Sequence, residues 1–317
     1  MYGALRLVLV LSLLMLMLGL TATSQSVVKT FSPQSTIFSM EFSPDGKTLA
    51  TGQGNGTIYL WDWAAGQPKR VIADSMGTVF ALSFSSDGKR LLTANGDSQL
   101  AAVWEVETGR QLLNLEGHVG WVHSAAYSPD GKFLVTGAED ATVRVWDAES
   151  GRLVRVLTGH RKTVFALAIS PDSTIIASGG GDGEIRLWEA QMFALLGVLP
   201  VRVAAVFSVA FSSDGKLLAS TSSDGVIRLW DVTEKKLVVE RAGHRHRTHA
   251  VRFHPDGRRL ASGSMDWAVK LWNVPALQEI KAFTEHVEFV LAVAFSPDGK
   301  LLASGGGDSQ IIVRALE

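Results

Sequence analysis

The sequence predicts an all-β protein in which seven small four-stranded antiparallel sheets close into a ring. Three observations carry that expectation. Trp61, Trp104, Trp146, Trp188, Trp230 and Trp272 follow one another at intervals of 43, 42, 42, 42 and 42 residues. Asp45, Asp87, Asp130, Asp172, Asp214, Asp256 and Asp298 keep step with them. The apolar runs between these markers are short, about four to six residues, and Pro, Gly, Asp or Ser bounds each one. A period near 42 residues marks a repeat architecture, whose units cannot bury their apolar faces alone.

The fourth repeat gives the pattern of one unit. Val164 to Ile169, Ile175 to Ser178 and Ile185 to Trp188 read as three strands, because helices need longer runs at a 3.6-residue period. The turns between them have a mechanism. Proline presets φ in Ser170-Pro171-Asp172, and Asp182-Gly183 tolerates the positive φ of a tight hairpin. A fourth strand follows each tryptophan strand, as in Leu153 to Leu157. The seventh repeat ends at Ile311 to Ala315 without its fourth strand. Ser26 to Phe31, ahead of the first repeat, has the look of the missing one and is expected to close the ring.

Residues 1–24 read differently. Arg6 precedes an unbroken apolar run from Leu7 to Leu20, and Ala22, Thr23 and Ser24 follow it. That order is the pattern of a cleaved signal peptide, with the cut before Gln25. The run has 14 residues, fewer than the about 20 that a spanning helix needs, so a cleaved leader is expected over an uncleaved membrane anchor. Residues 25–317 then form the propeller domain in an exported, secreted or periplasmic, protein. The chain has no cysteine, which excludes a lipoprotein signal and leaves packing to hold the fold. Beyond Ser24 the net charge is −2, which offers no general field for nucleic acid or an anionic membrane.

Gly-His openings, Phe-Ser-Pro-Asp-Gly turns, Ser-x-Asp-Gly turns and Leu-Trp-Asp endings together resemble the WD-repeat β-propeller family over residues 26–317. The regular Phe-Ser-Pro-Asp-Gly turns look like those of bacterial members. The resemblance implies a seven-bladed β-propeller around a central channel. It also implies a buried network of His, Ser or Thr, Asp and Trp in each blade. Transferred by position, the network is His118, Thr136, Asp140 and Trp146 in the third repeat. It is His160, Ser178, Asp182 and Trp188 in the fourth, and His244, Ser262, Asp266 and Trp272 in the sixth. A buried indole N–H needs an acceptor, which gives the network a physical reason. Pro33 and Arg202 replace the histidine in repeats one and five, and repeat two has none near Ser75. Asn55 replaces the turn aspartate in repeat one, and Arg314 replaces the tryptophan in repeat seven. These blades are expected to be held less tightly.

Catalytic patterns are missing from the sequence: there is no Gly-rich phosphate loop, no Gly-x-Ser-x-Gly elbow and no zinc-protease motif. No cofactor is implied. The histidines His246, His249 and His254 do not amount to a metal site, since His254 stands in for a turn serine beyond a hairpin. Asn55-Gly56-Thr57 is a glycosylation sequon of significance only in a eukaryotic source.

Binding residues are sought instead on the rim that the resemblance calls the top, which carries the Gly-His loops. Arg245 and Arg247 lie in a basic stretch, and Trp267 follows Asp266 outside the periodic tryptophan series. Arginine and tryptophan dominate binding hot spots. Phe38, Phe80, His123, Phe165, Phe207, His249 and Leu291 recur at the start of each first strand. Trp121 and Phe289 lie two residues before that series, on the same strand face. The expected function is a non-catalytic adaptor for a protein or peptide, bound by Trp121, Phe165, Phe207, Arg245, Arg247, His249, Trp267 and Phe289. The alternatives are a small-ligand or enzymatic propeller using the channel mouth, and a scaffold anchored by residues 7–20.

Overall fold

A computed structural model describes residues 27–73, 77–97, 100–201 and 204–316. The leader reading of residues 1–24, and Ser75 and Arg202, fall outside them. The described residues form 28 strands and no helix. They group into seven four-stranded antiparallel sheets. Blade four shows the order from the centre outward: Val164–Ile169, Ile175–Gly180, Glu184–Glu189 and Leu195–Pro200. The first strands of adjacent blades pack against one another around the channel.

The ring closes as the sequence suggests. Val27–Phe31 pairs antiparallel with Ile311–Ala315, with Phe31 opposite Ile311 and Thr30 opposite Ile312. It is the outermost strand of the seventh sheet, whose other three strands come from the C-terminal end. A sheet built from both ends of the chain removes the free edges that an open ring would leave.

Packing between blades is what holds the ring. Each apolar cluster joins two neighbouring blades, as where Leu92 and Val103 of blade two meet Val122, Leu134 and Trp146 of blade three. The contact recurs at a glycine. A Cβ on Gly179 would lie 2.6 Å from Val206 Cγ1 of the next blade, and Gly137 and Val164 repeat the arrangement at 2.7 Å. Glycine is required there by close approach rather than by φ. Each such valine is fully buried, which is worth roughly 1.5–3 kcal/mol.

Two further devices set the geometry. The lower hairpins are fixed by serine and aspartate: Ser43 Oγ donates to Asp45 Oδ1 at 2.6 Å, and Lys47 N donates to the same oxygen at 3.0 Å. Blade six has His254 at the serine position. His254 Nδ1 accepts from Asp256 N at 3.1 Å, and Nε2 donates to Gly299 O of blade seven at 2.8 Å. At the upper end, every first strand carries a bulge. The residue skipped in the register is Phe38, Phe80, His123, Phe165, Phe207, His249 or Leu291. A bulge re-aims its side chain, and here it turns one side chain per blade into the channel.

Candidate functional site

The periodic histidines and aspartates are structural. In blade three His118 Nδ1 meets Asp140 Oδ2 at 2.9 Å, and Nε2 meets Thr136 Oγ1 at 2.8 Å. Trp146 Nε1 donates to the same threonine oxygen at 2.9 Å. Burial lowers the His118 pKa by more than Asp140 raises it, so the ring is neutral. Burial alone would raise Asp140, but hydrogen bonds from Thr142, His118 and Val119 N outweigh it and hold it low. Blades four and six repeat the chain through Ser178 and Ser262. His160 and His244 reach these hydroxyls at 2.9 and 2.7 Å, and Trp188 and Trp272 donate to them at 2.9 and 2.8 Å. Asp182 and Asp266 complete them on the Nδ1 side. Every polar atom of such a chain is used internally, which leaves none for chemistry.

The expectation of looser atypical blades is overturned in two of them. Blade seven has its own complete histidine chain, with His286 Nδ1 2.8 Å from Asp308 and Nε2 2.8 Å from Ser304. Arg314 takes the tryptophan's place. It is fully buried, donates from Nη1 to Ser304 Oγ at 2.8 Å, pairs with Glu285 at 3.1 Å and lies 4.8 Å from the Phe283 ring centre. In blade five Arg228 does similar work, 2.7 Å from Asp224 Oδ2, 2.8 Å from Ser222 Oγ and 3.0 Å from Glu240 Oε2. Blades one and two keep the indole bond, from Trp61 to Thr51 at 2.9 Å and from Trp104 to Thr93 at 3.1 Å. Buried Gln53 and Asn95 stand there where the histidine blades have Gly180, Ala138, Ser264 or Gly306. In blade four this position lies against the histidine, since a Cβ at Gly180 would come within 2.5 Å of His160 Nδ1. This substitution was legible in the sequence and was missed.

The eight residues expected to bind a partner fall into two tiers. Phe165, Phe207 and His249 are half-buried members of a collar lining the channel. Ring centres follow one another closely: Phe80 to His123 at 4.6 Å, His123 to Phe165 at 5.2 Å, Phe165 to Phe207 at 5.4 Å, and Phe207 to His249 at 4.5 Å. The collar neither spreads as an exposed patch nor fills the space between blades. It narrows the channel. Burial, and then the charge of Arg247, lowers His249 to about 4.

The outer tier is open to solvent. Trp121 is 44% exposed and stacks on Phe80 at 5.8 Å. Glu139 Oε2 accepts from Trp121 N at 3.1 Å. Arg245, Arg247 and Trp267 are exposed on one blade. Their backbones are tied together, since Arg245 N donates to Asp266 Oδ2 at 3.0 Å and Met265 N to Arg247 O at 2.9 Å. Phe289 is half-buried, with its ring against Gly307. Val119 and Val287, 71% and 63% exposed, join this rim and were not anticipated. Each directly follows a network histidine, which was the available signal.

Trp267 is the anomaly. It is 53% exposed and holds φ at 73°. The same turn position is Gly56, Gly183 and Gly225 in blades one, four and five, with φ of 83°, 77° and 75°, and the small Ala141 and Ser309 in blades three and seven, with φ of 61° and 56°. A bulky side chain in this left-handed region is strained.

Among the described residues no group of three His, Cys, Asp or Glu side chains is placed to hold a metal. His246 and His249 are on the upper side of blade six, and His254 is in its lower hairpin.

Comparison with known proteins agrees with the architecture. The model of the WD domain, G-beta repeat, matches seven segments: residues 25–62, 66–105, 109–147, 151–189, 195–231, 235–273 and 277–313. The chain is similar to Protein tipD of Dictyostelium discoideum, 28% identical over 35% of this chain and 18% of that protein. Nuclear distribution protein PAC1 of Arthroderma otae is 27% identical over 36% of each chain. WD repeat and SOCS box-containing protein 1 of Homo sapiens is 29% identical over 29% of this chain and 22% of that protein. The chain thus spans only about a fifth to a third of the length of these relatives. All three are eukaryotic, which lends nothing to the bacterial likeness of the turns. Seven matched repeats and seven closed blades place the chain in the WD-repeat family.

Proposed function

We propose that this chain is a non-catalytic scaffold, exported from the cytoplasm, that presents the upper rim of its propeller to a protein or peptide partner. Trp267 carries the reading. A half-exposed indole in a left-handed turn, where the other described blades use glycine, alanine or serine, strains the backbone. Such a feature is retained for what it contacts. Arg245 and Arg247 beside it supply charge-assisted bonds to carboxylates, and Trp121, Val119 and Val287 supply apolar area on the same rim. Membership of a family of interaction platforms supports the same reading, and the pattern of residues 1–24 supports export.

Cross-linked capture from an extracytoplasmic fraction tests it, using residues 25–317 and a variant with Trp121, Arg245, Arg247 and Trp267 changed to Ala. A protein captured by the first and lost by the folded variant is the expected result. Equal capture by both refutes the rim as the interface. The intact mass of the exported protein tests the leader: loss of about 24 residues is expected, and retention means an anchor.

A further inference from the structure

We propose that the channel beneath the aromatic collar is a binding site for a small oxyanion, a carboxylate or a phosphate, anchored by Arg252. The seven first strands carry two charged side chains between them, Glu41 and Arg252. Directly below the collar lies a chamber of about 110 Å³. Its wall below the collar carries Ser39, Ser124 and Ser208, alanines such as Ala81 and Ala166, and larger apolar residues such as Met40 and Leu167, and Arg252 is its one charged group. One water needs about 10–15 Å³ on this measure, so the chamber admits a ligand of several heavy atoms.

Arg252 stands on an innermost strand and is exposed where it lines the channel. Its Nη1 donates to Val251 O at 2.9 Å and to Ser208 Oγ at 3.4 Å. Its Nε and Nη2 bond to nothing among the described residues, and no carboxylate there comes within the 4.0 Å of an ion pair. Two donors of a planar fork are therefore left without a protein partner, on a residue that lines the cavity. That fork matches a carboxylate or phosphate edge in two parallel bonds.

The surroundings do not neutralise the guanidinium. Glu41, on the first strand of blade one, spends Oε2 on Phe84 N at 3.0 Å. Burial pushes Glu41 up to about 7, against the pull of that bond and of Arg252, so near neutral pH it is only partly ionised. His249 and His123, in the collar above, are both held neutral by burial. A confined cation with unpaired donors and an incomplete counter-charge draws an anion from solution. The hydroxyls offer secondary donors: Ser124 Oγ reaches Val164 O only at 3.4 Å, a bond weak enough to exchange for a ligand oxygen.

The test uses the purified protein labelled at alanine methyls. Sodium succinate and inorganic phosphate are titrated into the millimolar range at fixed ionic strength, with chloride as the reference salt. Saturable movement of the Ala81, Ala166, Ala250 and Ala292 methyls with either oxyanion is expected, and the responding one names the ligand class. R252Q should weaken it at least tenfold, while R258Q, in an exposed lower turn, should not. Movement that chloride reproduces, or that survives in R252Q, overturns the proposal. Should R252Q not fold, the wild-type titration decides alone, because stationary methyls also overturn it.

Discussion

Arg314 Nη1 lies 2.8 Å from Ser304 Oγ, the hydroxyl that in six other blades belongs to a serine or threonine receiving an indole N–H. A guanidinium thus does the work of a tryptophan, and Glu285 balances its charge at the surface. Arg314→Ala leaves a cavity and removes these bonds. It should destabilise the protein by about 3 kcal/mol. Arg314→Trp restores the pattern of the other blades and should cost clearly less. Denaturant unfolding of both variants checks this; equal losses would mean that a tryptophan cannot take the arginine's place.

The histidine chains make stability depend on pH. Burial lowers His118, His160 and His286, against the pull of their aspartates, and lowers His249 to about 4. A histidine held low binds fewer protons folded than unfolded. Its contribution is complete above the unfolded value of about 6.5 and is lost as pH falls below it. Asp140, Asp182 and Asp266, held low by their hydrogen bonds against burial, add a second loss at still lower pH. Tm should fall by about 5–10 °C between pH 8 and pH 5. A flat or rising Tm would contradict neutral buried histidines.

Glu41 works in the opposite sense. Its raised value means that the folded state binds the extra proton between the ordinary carboxyl range and about 7, so its charge destabilises as pH rises. Glu41→Gln keeps an acceptor for Phe84 N and removes that charge. The variant should gain stability relative to wild type at pH 8 compared with pH 5, by on the order of 1–3 kcal/mol. The same difference at both pH values would show that Glu41 is not charged at the cost assigned to it.

Gly179 tests the packing between blades. Its missing Cβ would meet Val206 Cγ1 at 2.6 Å, Val206 Cβ at 3.1 Å and Ala166 Cβ at 3.3 Å, all on branched or backbone-fixed groups that cannot swing aside. Gly179→Ala should lose about 1–3 kcal/mol by overpacking, and Gly179→Ala with Val206→Ala should recover part of it. Simple additivity of the two losses would deny the contact.

Much of the fold was legible because the repeat writes it seven times. Short apolar runs, Pro-Asp turns and the tryptophan period fixed the strands, and Val27–Phe31 was recognisable as the strand that the last sheet lacked. Side-chain direction was less accessible. Phe165 and His249 read as residues near the top rim and channel mouth that either form a collar there or fill the gap between blades, and the bulge at each one turns it into the channel. Bulges leave no mark in a period of two. Arg314 and Arg228 were visible only as departures from a pattern, because sequence names the residue lost from a network and not the one that replaces it in space. For Trp267 the position in the repeat was the clue, and the positive φ that gives it meaning came from the structure.

The central claim is that the upper rim is kept for binding at the expense of stability, and Trp267→Gly tests it most directly. Glycine relieves the strained turn, so the variant should be more stable than wild type by about 1 kcal/mol. Loss of the indole should weaken partner capture at least tenfold. Higher stability with reduced capture is the predicted result. Unchanged capture by the stabilised variant would contradict the account.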